Sequence, residues 1–119
     1  MSRNAAAPEH WAVDAGEHDV ARLDIPPHAV RERDFEIFCS LTVKPQGSGG
    51  HGDAWHELRV LVDGSLAWSR RVPTQPGRDS LDVRLRHRVP AGRALRLSAV
   101  AQTQRATRLG LVITADEEQ

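Results

Sequence analysis

Apolar and polar residues alternate with period two along most of this chain. The cleanest run places Phe35, Ile37, Cys39, Leu41 and Val43 against Glu36, Ser40 and Thr42. Successive side chains of a strand point to opposite faces, so this pattern marks a strand with one buried side. Similar alternation recurs over residues 20–25, 56–62, 66–72, 81–89 and 95–102, and again at Leu109, Leu111 and Ile113. No stretch carries an i, i+3, i+4, i+7 stripe long enough for a helix. Turn chemistry separates the runs: Pro26-Pro27, the glycine-rich segment 44–54, Asp63-Gly64, the PTQPGRD segment at 73–79, and Pro90-Ala91-Gly92. Seven such segments predict an all-β fold, an antiparallel β-sandwich of Ig-like or jelly-roll type, with a small closed barrel as the alternative.

Residues 1–18 show no clear period and read as a flexible N-terminal arm, residues 19–115 as a single sandwich domain, and residues 116–119 as a frayed acidic tail. Phe38 falls on the polar side of its strand, which marks an exposed aromatic that a subunit contact or the arm would cover. Trp68 shares the register of Leu66 and Val72 and reads as core. The runs LRVLVDGSLAWSRRV and DVRLRHRVPAGRALRLSAVA resemble galactose-binding-like sandwich modules in their strand, DG turn and strand-pair pattern, over roughly residues 56–101. That resemblance implies a sandwich and transfers no ligand residue.

Composition narrows the picture. The chain has 119 residues, 16 basic and 16 acidic, and is formally neutral. A neutral balance argues against a surface built to hold nucleic acid. Aromatics make up 4%, with no Tyr, and the arginine-rich stretch 79–113 contains none, so it lacks the stacking aromatics expected beside the arginines of a single-strand binder. No apolar run approaches a secretory signal or a membrane span. The expected setting is the cytoplasm, which suits the single cysteine. Cys39 lies between Ile37 and Leu41 in the inward register and reads as a buried, unreactive hydrophobe.

Two groups of residues carry candidate chemistry. The first is the loop-to-strand segment His51, Asp53, Trp55 and His56, which combines an aromatic with a carboxylate and two imidazoles. A sugar ring, with its apolar face and its rim of hydroxyls, suits such a set. The spacing matches no standard metal motif, so no metal and no cofactor are implied. A small histidine-based metal-binding β-barrel enzyme, with His87 as a further ligand, is the rival reading. No serine sits in a nucleophile elbow, and the glycine cluster at 47–50 lacks the Lys-Ser/Thr ending of a phosphate loop.

The second group is charge. Residues 1–40 hold eight acids and four bases, whereas residues 79–113 hold seven arginines and two aspartates. Arg84, Arg86 and Arg88 fall on one face of a strand, and Arg96 is expected on the matching face of its hairpin partner. Guanidinium groups suit carboxylate and phosphate through their planar fork. The face is either neutralised by acids of the same chain or open to an anionic partner. The expected function is a non-enzymatic binding or assembly module. Its expected partners are a small molecule, a glycan or an acidic protein surface, with no nucleic acid and no membrane. Unpaired sheet edges and near-zero net charge also favour a homodimer.

Overall fold

The computed structural model describes residues 7–47 and 53–118. They form eight strands: β1 (His10–Asp14), β2 (Val20–Ile25), β3 (Arg33–Pro45), β4 (Trp55–Val62), β5 (Ser65–Pro73), β6 (Asp79–Val89), β7 (Leu95–Gln104) and β8 (Ala106–Glu118). There is no helix among the described residues. Two antiparallel four-stranded sheets pack face to face, one in the order β1-β8-β3-β6 and the other β2-β7-β4-β5. The expected all-β sandwich is therefore present.

The core is the inward register of both sheets. Phe35, Ile37, Cys39, Leu41 and Val43 of β3, with Leu111, Ile113 and Ala115 of β8 beside them in the same sheet, face Leu58 and Val60 of β4 and Leu95, Leu97 and Ala99 of β7, and all are buried. Aliphatic side chains removed from water on both inner faces supply the main driving force for folding. Asp63-Gly64 makes the expected β4–β5 turn, with both residues at positive φ, 51° and 85°.

Three expectations are corrected. The segment 1–18 is not a free arm over its described part, because β1 pairs with β8 from His10↔Asp116 to Asp14↔Val112. Only Trp11 and Val13 carry its apolar face, too few for a periodic signal, and the backbone ladder holds the rest. The tail is not frayed up to Glu118, since it forms the end of β8 beside Asp34 of β3. Charges lock both ends: Arg33 Nη1 lies 2.7 Å from Glu9 Oε1, and Arg31 Nη2 lies 2.7 Å from Glu117 Oε1. Finally, β6 and β7 are not a hairpin pair. Pro90 to Ala94 carries the chain from one sheet to the other, so β6 pairs only with β3, and β7 lies between β2 and β4.

Candidate functional site

The loop-end residues do not converge. His51 lies outside the described residues. His56 is fully buried, and its Nδ1 shares a 2.8 Å hydrogen bond with Thr74 Oγ1, tying β4 to the segment between β5 and β6. Burial pushes its pKa below the ordinary 6.5, against the opposing pull of the Asp79 carboxylate. The alternation rule places His56 inward together with Leu58 and Val60, which removes it from any surface site. Trp55 stands on the opposite, outer face, with the Arg71 guanidinium 3.8 Å from its ring centroid. Asp53 turns away to Arg105, 3.5 Å distant. Among the described residues no group of three His, Cys, Asp or Glu side chains is placed to hold a metal ion. His87 lines a groove with Val62 and Asp63, at the opposite end of β4 from His56.

The arginine face is paired within the chain. Arg84 lies 3.1 Å from Glu36 and covers Phe38 at 4.6 Å from the ring centroid, which explains the polar-side aromatic. Arg86 meets Glu118 at 3.2 Å, and Arg88 meets Asp34 at 3.0 Å. The sheet order is responsible: acid-bearing β3 lies beside β6 and β8 is the next strand beyond it, so the basic stretch meets the acids of β3 and, across it, Glu118. Arg96 does not join this face. It belongs to the other sheet, 3.8 Å from Asp24, and borders a depression of about 530 Å³ with Ile25 and Asp63.

A third surface combines features that the sequence pattern separates. β5 and β6 are the edge strands on the same side of the sandwich, and there the two sheets gape. Val83, Leu85 and His87 of β6, and Trp68 and Val72 of β5, occupy the inward register yet stay only half-buried. Leu66 is 59% exposed, because the β4–β5 register shifts between Val60 and Leu61 and takes it out of line with Trp68. The resulting groove, about 410 Å³, is lined by Ile37, Val62, Leu66, Ala67, Leu85 and His87, among others. Arg70 stands on β5 between Trp68 and Val72, opposite Leu58, with no ion-pair partner among the described residues. The one sequence signal for this surface was Trp68 and Leu66 on a strand otherwise rich in Ser and Arg, a pattern equally expected of a covered strand.

No family model matches the chain, and no curated protein does. Among solved structures it is similar to dimeric latent PorU from Porphyromonas gingivalis, with a TM-score of 0.55 and 13% identity. That similarity covers 92% of this chain and 11% of the PorU chain, so the chain spans about a tenth of that protein's length. At this identity the likeness concerns the sandwich fold alone. Among the described residues no helix is long and apolar enough to cross a membrane.

Proposed function

We propose that this chain is a non-enzymatic β-sandwich module for assembly, and that its binding surface is the open β5–β6 side. The observation that supports this is the contrast within the inward register. Its residues Ala21, Leu23 and Ile25 of β2, Phe35 to Val43 of β3 and Leu95 to Ala101 of β7 are at most 7% exposed, whereas Val83, Leu85, Trp68 and Val72 keep solvent contact beside an exposed Leu66. A contiguous apolar strip rimmed by polar residues is the usual mark of an interaction surface. Arg70 and His87 at its margins favour an occupant that is apolar and carries carboxylate. The internally paired arginines and the dispersed loop-end residues favour neither a phosphorylated ligand nor a glycan. In this reading the module works in the cytoplasm, where Cys39 stays a reduced core residue.

Anilinonaphthalene sulfonate, an apolar anion, tests the surface directly. At high protein dilution the folded chain should enhance its fluorescence, with excitation transfer from tryptophan that weakens in Trp68→Phe. Leu85→Glu, checked for folding by far-UV circular dichroism, should abolish the enhancement. A folded wild-type chain that leaves the dye dark, or binding indifferent to Leu85→Glu, would overturn the reading.

A further inference from the structure

The occupant of that side can be specified from β6 itself, on the reading that the open side is the binding surface. β6 is an eleven-residue strand bonded only to β3, and its ladder runs without a register shift. It contains no proline, and among the described residues its outer edge pairs with no other backbone. The other edges are blunted: β1 and β2 have five and six residues, and the pairing that holds β5 is bulged. A long, regular, uncovered edge is a template for a further strand unless charge or distortion guards it. Here the guard is disarmed, since Arg84, Arg86 and Arg88 are each held by a carboxylate of β3 or β8.

We propose that the occupant is a second copy of this chain, with the two β6 strands pairing antiparallel about a twofold axis at Val83. A symmetric antiparallel pair must set one residue against its own mate, and the charge pattern selects which. With Arg84 at the axis, Arg84 opposes itself. With Leu85 there, Arg84 opposes Arg86 twice; with Asp82 there, Asp82 opposes itself. Only with Val83 at the axis does Asp82 lie across from the partner's Arg84, twice over, with no like charges opposed within the strand. The inward register then reads Asp79, Leu81, Val83, Leu85, His87. It matches its own reverse, setting Leu81 against the partner's Leu85 and Asp79 against the partner's His87. The paired strand therefore brings apolar side chains and a carboxylate to the open side, which complements the apolar Trp68 and Val72 and the cationic Arg70 there. The two four-stranded sheets containing β6 become one continuous sheet across the dimer.

A charge swap tests both partner and register. Sedimentation of the wild-type chain at high micromolar concentration should show a species of twice 13.1 kDa, and anilinonaphthalene sulfonate bound at dilution should be released as it forms. Asp82→Arg and Arg84→Asp, each shown folded by circular dichroism, should each weaken self-association about tenfold or more, since either reversal acts twice across the axis. An equimolar mixture of the two should recover the dimer, because each reversed residue again faces its opposite. A dimer that ignores both reversals, or one that retains the dye, places the contact elsewhere and overturns the inference. A wild-type chain that stays monomeric also overturns it, while dye bound at dilution would leave the open side as a binding surface for a different protein.

Discussion

Glu9 Oε1 accepts a hydrogen bond from Arg33 Nη1 at 2.7 Å, which clamps the residue before β1 to a guanidinium whose side chain is 1% exposed. The same Arg33 donates to the carbonyl of Pro26 at 3.0 Å, so one buried cation joins the start of β1, the end of β2 and the start of β3. A buried charge is tolerated only when it is paired and hydrogen-bonded. Glu9→Gln leaves the guanidinium without its counter-charge and should cost about 3 kcal/mol in chemical denaturation. Glu9→Gln that melts like wild type would show that the clamp contributes nothing.

The acid limb of stability follows from the same carboxylate. Burial alone would raise its pKa, but the Trp11 indole N–H, Arg33 and Arg31 outweigh that and hold Glu9 below its ordinary 4.5. The unfolded chain then binds this proton at higher pH than the folded one, so the stabilisation present above pH 4.5 is lost as pH falls through the folded value. Acid denaturation should be displaced to higher pH, or flattened, in Glu9→Gln. An unchanged acid limb would assign it to other carboxylates.

His56 acts in a neighbouring window. Its folded pKa lies below 6.5, so stability should decline as pH drops from 6.5 toward that lower value, because only the unfolded chain takes up the proton there. Thr74→Val removes the hydroxyl at Nδ1 and leaves a buried ring nitrogen unsatisfied, at about 1–3 kcal/mol. Equilibrium unfolding at neutral pH measures the loss, and a change within error would mean that the ring finds another partner.

Cys39 is buried, and burial pushes its thiol pKa up to about 12. The thiolate is the reactive form, so a thiol reagent should label the native chain only at the rate of unfolding. Cys39→Ser buries a hydroxyl in an aliphatic layer and should destabilise by about 1–3 kcal/mol. Rapid stoichiometric labelling of folded protein would contradict the burial.

The paired arginine face leads to a contrasting expectation. Arg86→Gln removes one exposed ion pair, with Glu118, and should change stability by only a few tenths of a kcal/mol. Sulfate binding measured by calorimetry should be absent in both wild type and variant. Sulfate binding that the substitution abolishes would restore the face as an anion site.

Period two and turn chemistry were enough to place most strands, because burial of one face is a local constraint written into every second residue. Phe35 to Val43 and Leu81 to Val89 needed no tertiary information, and neither did the Asp63-Gly64 turn. The inward position of His56 was equally legible from its neighbours Leu58 and Val60, although its chemistry drew it into a surface site. β1 was not legible, since its five residues are held by a backbone ladder to β8 and by Glu9, and a ladder does not depend on side-chain pattern. Strand order was also hidden, because alternation says which face is buried and nothing about which strand lies alongside. That order decided the function-bearing features. It set acidic β3 beside the arginines of β6 with β8 one strand beyond, sent Arg96 to the other sheet, and left β5 and β6 as the edges of one open side, whereas the inward residues of edge strand β2 are covered by β1 and β8 of the facing sheet.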